Sequence, residues 1–266
     1  MIADDFANDS EGWIMRRKLR LMAVAQDILK NPAFKISSLA EKYNVSEMTI
    51  RRDLKYLEDQ GVLSHQWDLP KSVPSSGSYV FNKACKDAKE EKARIAKYAA
   101  SLIEKNDIII LDTGSTVNLL GSLLPTDIPY TVITYSENLL PYLTLRRNIQ
   151  LIFIGGYYHH ESRSFESTEN VEFLSHLRAT KMFISTAGVE KNGLTCFSQY
   201  EVITKRTAIQ SSLKTYLLTD SSKFGITKPA FFSSFEEIDE IITDRGLSPK
   251  WRKYLDQLDI QLTLVD

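Results

Sequence analysis

Seven short apolar runs recur between residues 107 and 266, with helix-like stretches between them. They are DIIILD (Asp107 to Asp112), YTVIT (Tyr130 to Thr134), QLIFIGG, KMFISTAG, TYLLTD, EIDEIITD and IQLTLVD. A strand that is apolar at successive positions has no polar face to turn to water, so both of its faces must be covered. Strands of that kind alternating with helices predict a parallel sheet with helices on both sides. The expected fold of residues 91–266 is therefore an α/β, Rossmann-like domain. Its helices are expected at Val117 to Leu124, over SENLLPYL, and in an Ala- and Lys-rich stretch with apolar positions among Ile95, Tyr98, Ala99, Leu102 and Ile103.

The first third of the chain has a different grammar. Leu21, Val24, Ala25, Ile28 and Leu29 recur at helical spacing, and Asn31-Pro32 ends that helix. In ISSLAEKYNV, Ser37 or Ser38 is the expected N-cap of a second, short helix, with Ser38 and Glu41 at capping-box spacing. Asn44 suits the left-handed turn that closes it. Ser46 then caps a third helix running to about Gln60, with Ile50, Leu54 and Leu57 on its inner face. Gly61 stops it, and VLSHQWDL reads as a β segment. Three helices with a tight turn before the third and a strand after it predict a winged helix-turn-helix over residues 14–69. PKSVPSSGS, Pro70 to Ser78, has linker composition, and residues 70–90 are assigned to the linker.

Charge singles out the third helix. The chain as a whole has a net charge of −1, yet Met15 to Gln66 holds ten basic and six acidic side chains. With Ile50, Leu54 and Leu57 inward, the outer face carries Ser46, Glu47, Met48, Thr49, Arg52, Lys55 and Tyr56, with Arg51 at its edge. The front half of such a helix enters the major groove, where arginine can bond guanine in bidentate fashion. Lys55 and Tyr56, one turn on, are placed for the phosphate backbone. An ordinary surface helix would instead pair its arginines with Glu47 and Asp53. The turn, the caps and the charge excess favour double-stranded DNA as the partner.

Several classes lose support. Cys85 and Cys196 are too few for a disulfide framework or zinc ribbon. The acidic start lacks the apolar core of a secretory signal, and no apolar run approaches the roughly 20 residues of a membrane span, so a cytoplasmic protein is expected. There is no G-x-G-x-x-G and no Walker-type loop, and no cofactor is expected. His159-His160 reads as a loop surface rather than a metal site, and Cys196 as a buried thiol. Phe231, Phe232 and Phe235 read as core or interface.

The strand ends carry the remaining chemistry, because open α/β sheets bind ligands at the carboxyl ends of their strands. In LDTGSTV, the backbone N–H groups of Gly114 to Thr116 and the hydroxyls of Thr113, Ser115 and Thr116 can hold a phosphate. The same turn serves equally as a plain strand-to-helix junction. Ser136 and Asn138, Gly155 and Gly156, Gly188, and Ser221 and Lys223 follow four further strands. Glu201 and Lys205 stand one helical turn apart, either a surface ion pair or, with Asp112 and Asp220, part of an acid/base set.

Residues Val45 to Leu63, VSEMTIRRDLKYLEDQGVL, resemble the signature of the DeoR family of bacterial transcription regulators. The likeness continues in LDTGSTV, TYSENL, IGGYYHHES, STAGVEKNGLT and TDSSKFG. The segment SHQWDLPK departs from the family's basic R-x-H-G-G wing, keeping only His65. The resemblance implies a sensor domain related to ribose-5-phosphate isomerase that binds a phosphorylated sugar through Asp112 to Thr116, Asn138, Gly155, Glu201, Lys205 and Lys223. It implies a repressor of a carbohydrate operon, not an enzyme, working as a homo-oligomer, a dimer or tetramer. Two alternatives stand beside it: an isomerase-like enzyme with a DNA-binding domain, and a regulator whose sensor is vestigial.

Overall fold

The chain forms two compact units, Met1–Pro74 and Ser75–Asp266. The computed structural model describes residues 20, 21, 23–25, 27, 28, 35–59, 81–258 and 260–266. The expected β segment VLSHQWDL, with Trp67, and the stretch Pro70 to Ser78 lie outside them.

In the first unit the described residues between 20 and 28 are helical. Helix α1 spans Ile36–Lys42 and α2 spans Glu47–Asp59. Asn44 takes the left-handed conformation between them, with φ 49°. Leu21, Val24, Ala25 and Ile28 pack with Leu39, Ala40, Ile50, Leu54 and Leu57 in one core. The N-cap of α1 differs from expectation. It is Lys35, without a side-chain bond, and Ser37 and Ser38 lie exposed inside the first turn. Ile36 packs against the core, so burial of that side chain draws the helix start ahead of the serines. Ser46 does cap α2, its hydroxyl accepting the Thr49 N–H at 3.1 Å.

The second unit opens with α3 (Phe81–Ala84) and α4 (Lys89–Ser101). Residues 81–90, read from composition as linker, are thus folded, with Phe81 buried. The succession continues β1 (Ile108–Leu111), α5 (Ser115–Leu123), β2 (Tyr130–Thr134), α6 (Leu140–Leu143), β3 (Ile149–Phe153), β4 (Tyr157–His159), β5 (Ser164–Glu166), α7 (Thr168–His176) and β6 (Lys181–Ser185). It ends β7 (Gly188–Glu190), β8 (Gly193–Cys196), α8 (Gln199–Gln210), β9 (Thr215–Leu218), β10 (Ala230–Ser233), β11 (Glu240–Asp244), α9 (Pro249–Asp256) and β12 (Gln261–Val265).

The seven apolar runs form one seven-stranded sheet in the order β12-β11-β9-β6-β1-β2-β3, parallel throughout. Side chains alternate between its faces. Ile110, Met182, Ile184, Leu217 and Ile241 meet Ala208 and Ile209 of α8 on one side. Ile109, Leu111, Phe183, Tyr216, Leu218 and Ile242 meet Ile95, Ala99, Val117 and Leu120 of α4 and α5 on the other. Two small antiparallel sheets, β10-β8-β7 and β4-β5, were not foreseen.

Chain order dictates where this sheet opens. From β1 the strands proceed outward to β2 and β3; the chain then returns to the other side of β1 as β6 and proceeds through β9, β11 and β12. The helices that follow β1 and β6 therefore leave in opposite senses, and a crevice opens between the two strand ends.

Candidate functional site

On α2, Ile50 and Leu54 are fully buried while Met48 is 59% and Tyr56 42% exposed. Glu47, Arg52 and Lys55 are exposed as well, and Arg51 and Thr49 stand half-buried at the edges. Arg51 Nη2 lies 3.9 Å from Glu47 Oε2, too far for a hydrogen bond. Asp53 is no surface partner for the arginines. It is buried, and Arg20 Nε donates to its Oδ2 at 2.6 Å. Its burial leaves an outer face with Arg52, Lys55 and Arg51 on it.

In the second unit, the crevice between β1 and β6 deepens into a cleft of about 440 Å³. Thr113, Gly114, Ser115 and Thr116 enter it from the end of β1, and Ser185, Thr186 and Ala187 from the end of β6. Glu201 and Lys205 come from α8, Asp220, Ser222 and Lys223 from the turn after β9, and Ala84, Asp87 and Lys92 from the start of the unit. Cys196, Phe197 and Lys228 complete the wall.

The floor is a buried charge network. Lys205 Nζ donates to Asp112 Oδ2 at 2.5 Å and to the Ser185 carbonyl at 3.3 Å. Asp112 Oδ2 also accepts the Ser185 N–H at 3.0 Å, and its Oδ1 accepts the Tyr135 hydroxyl at 2.6 Å. Lys205 further lies over the buried Phe232 ring, 5.2 Å from its centroid. Burial alone would push the Lys205 ammonium down; the carboxylates of Asp112 and Glu201 outweigh it, so the group is held above its ordinary value. Glu201 goes the other way. Burial and the charge of Asp112 push it up to about 7, against the pull of Lys205 and of a backbone N–H bond near Ser198. The sequence spacing predicted an ion pair of Glu201 with Lys205 at a surface. Instead Lys205 is buried and its partner is Asp112, which is 93 positions away.

Gly114 shapes one lip of the cleft. Its φ is 111°, where side chains are strained, and a Cβ there would meet Ser185 Oγ at 2.1 Å. Helix α5 starts directly after it with no side-chain cap, so its first N–H groups face the cleft mouth. Asp220 Oδ1 accepts the Ser222 N–H at 3.2 Å, and Asp244 accepts both the N–H and the hydroxyl of Ser221 at 2.7 and 2.8 Å, which fixes the turn bearing Lys223.

Of the residues expected in one pocket, Thr113 to Thr116, Glu201, Lys205 and Lys223 are brought together, with Asp112 beneath them. Ser136, Asn138, Gly155 and Gly156 do not line this cleft. They follow β2 and β3, where Ser136 bridges to Ser164 and Asn138 Oδ1 accepts from Arg163. Lys92, Asp87, Thr186 and Lys228 were missed. Lys92 had a signal: with Ile95, Ala96 and Ala99 it falls at i, i+3, i+4 and i+7, on the apolar stripe of its helix. His159 stacks on Tyr200 and lies 3.1 Å from Glu166. Among the described residues no group of three His, Cys, Asp or Glu side chains is arranged to hold a metal. Burial pushes the Cys196 thiol up to about 12.

A DNA-reading helix at one end of a chain and a switch-point ligand cleft at the other define a ligand-responsive transcription regulator. Residues 20–66 match the DeoR-like helix-turn-helix domain and residues 87–245 the DeoR C terminal sensor domain. The chain belongs to the DeoR family of transcription regulators. It is 32% identical over 243 residues to the lactose phosphotransferase system repressor of Staphylococcus epidermidis, covering 87% of this chain and 94% of that one. It is 29% identical over 248 residues to the deoxyribose operon repressor of Escherichia coli, covering 93% and 98%. The transcriptional regulator IolR of Bacillus subtilis is 27% identical over 247 residues, with 92% and 98% covered. Among solved structures, ribose 5-phosphate isomerase A of Methanocaldococcus jannaschii matches 51% of this chain and 54% of its own length at 18% identity, with a TM-score of 0.37.

Proposed function

We propose that this protein is a repressor of a carbohydrate operon, released from its operator by a phosphorylated sugar bound in the cleft between β1 and β6. The observation that carries the reading is the coincidence, at the one switch point of the sheet, of a glycine-led helix N-terminus with several lysine ammonium groups. A phosphate answers both features, and the carboxylates of Glu201, Asp220 and Asp87 can accept hydroxyl hydrogen bonds from the rest of a sugar. Both oxygens of Asp112 are taken by Lys205, Ser185 and Tyr135, so that carboxylate acts as a fixed support of the cleft floor. The relatives named as repressors of sugar operons support the same reading. In thermal-shift measurements across a panel of sugar phosphates, a ligand at 100 times its Kd should stabilise the sensor by about 2.7 kcal/mol, and the unphosphorylated sugars should not. A flat panel would overturn the proposal.

The operator is read by α2. Arg52→Ala should cost about 1–3 kcal/mol for the preferred sequence and relax base preference there. Lys55→Ala should weaken every sequence alike and lower the salt slope of binding by about one. Titrations of operator and scrambled duplexes at several salt concentrations separate the two, and equal losses on both duplexes for Arg52→Ala would sink its assignment to a base edge. One such helix covers a single half-site, so the working form is a dimer or tetramer. A regulator that reads an operator works where the DNA is, in the cytoplasm. No helix among the described residues is long and apolar enough to cross a membrane.

A further inference from the structure

We infer that Lys92 is a positioning residue through which an anion in the cleft orders the stretch by which the chain enters the sensor, residues 81–88. The inference rests on the proposed reading of the cleft as a site for an anionic ligand. It goes beyond that reading by naming the group that reports occupancy.

Lys92 is only 2% exposed and shares the inner face of α4 with Ile95, Ala96 and Ala99. A lysine so placed needs compensation for its lost hydration. It finds it in the main-chain carbonyls of Ala84 and Asp87, to each of which Nζ donates at 2.6 Å. Asp220 Oδ2 is 3.9 Å away, beyond hydrogen-bond reach. An ammonium has three donors. Two are used on neutral carbonyls, and the third has no acceptor within hydrogen-bond distance among the described residues. Burial pushes this ammonium down, Lys223 adds to that, and Asp220 and Asp87 oppose it. Lys92 lines the cleft, so an anion there meets a cation that is under-coordinated.

The two carbonyls belong to the turn between α3 and α4. Part of that turn is open to water. Lys86 and Asp87 are exposed, and Ala88 sits in the left-handed region at φ 49°, which favours glycine. A segment with few apolar contacts opens readily. Lys92 is its clasp from within the sensor. An anion that fills the third donor position adds a charge-assisted bond, stronger than either carbonyl bond, and fixes the ammonium on which both carbonyls depend. Occupancy of the cleft thus becomes order in residues 81–88, which in the sequence come between the DNA-binding unit and the rest of the sensor.

Hydrogen–deuterium exchange on the full-length protein tests this, with inorganic phosphate as the probe and chloride at matched ionic strength as the control. Phosphate should slow exchange at least about threefold both in residues 84–92, where Cys85 and Lys92 amides bond back to Phe81 and Ala88, and in residues 114–118 at the start of α5. In Lys92→Met, with phosphate raised until 114–118 is slowed as in the natural protein, the slowing of 84–92 should vanish. Slowing of 114–118 without 84–92 in the natural protein would overturn the inference and leave the anion site standing. Slowing in neither segment would overturn both. Retained slowing of 84–92 in Lys92→Met would also overturn it, and if that variant does not fold, the two-segment comparison in the natural protein decides alone.

Discussion

Lys205→Met is expected to cost the sensor about 3–5 kcal/mol, because it strands a carboxylate in the interior. Asp112 is 1% exposed and Lys205 is the only cation bonded to it among the described residues. The Tyr135 hydroxyl and Ser185 N–H remain as donors after the substitution, but neither carries a charge. A domain's whole stability is only about 5–15 kcal/mol, so a loss of this size is plain in a denaturant titration. The double variant Asp112→Asn with Lys205→Met removes the isolated charge and should recover a good part of the loss. Recovery of nothing would show that other contacts of the lysine, among them the placement of its ammonium over the Phe232 ring, outweigh its pairing with Asp112. A loss below about 1 kcal/mol in the single variant would mean that the carboxylate is easily rehydrated, which contradicts its burial. DNA affinity of the single variant is read separately, since α2 lies in the other unit.

Gly114→Ala should leave the protein folded and take away its ligand response. A non-glycine residue at a strained positive φ costs about 1–3 kcal/mol. The new methyl group also meets Ser185 Oγ at 2.1 Å and Ser185 Cβ at 3.2 Å. Rotation of the hydroxyl relieves the first contact but gives up its bond to the Thr113 carbonyl at 2.6 Å. The second contact moves the Ser185 backbone, whose N–H holds Asp112. Residues 113–116 and 185 are the facing lips of the cleft, so affinity for a phosphorylated ligand should fall by at least about tenfold, near 1.4 kcal/mol. Gly155→Ala is the control. Nothing lies within 4 Å of a Cβ there, and the residue is outside the cleft, so both stability and ligand response should hold. An equal effect of the two substitutions on ligand affinity would argue that the sequence-based pocket, with Gly155 in it, was right and the cleft wrong.

That contrast shows what could be read from the amino acids alone. All seven strands of the parallel sheet were visible; in the five inner ones, burial on both faces leaves a nearly unbroken apolar run. The inner face of α2 was equally plain: Ile50, Leu54 and Leu57 obey helical spacing and are buried. The short antiparallel strands were not visible. Gly188–Glu190 and Gly193–Cys196 are three and four residues long, and Ala230–Ser233 pairs with the latter across a long stretch of chain, too brief a signal for any period to emerge. The site was half legible. Strand ends name every loop that could bind a ligand, but only the strand order tells which of them face one another across a crevice. Residues 185–187 proved to be such a lip, whereas the ends of β2 and β3 did not. Lys205 was found by type and misread by neighbour, since helical spacing proposes Glu201 and the tertiary fold supplies Asp112. Lys92 was overlooked because a lysine is presumed to reach water.

The walls of the cleft are drawn from residues as distant as Ala84 and Lys228, whereas the described helices of the DNA-binding unit all lie before residue 60. Domains fold as units and N-terminal ones first during synthesis. A growing chain therefore gains its operator-reading helix long before it has any pocket for a signal. For that interval the newborn regulator is deaf: it can recognise DNA, but no metabolite can yet speak to it.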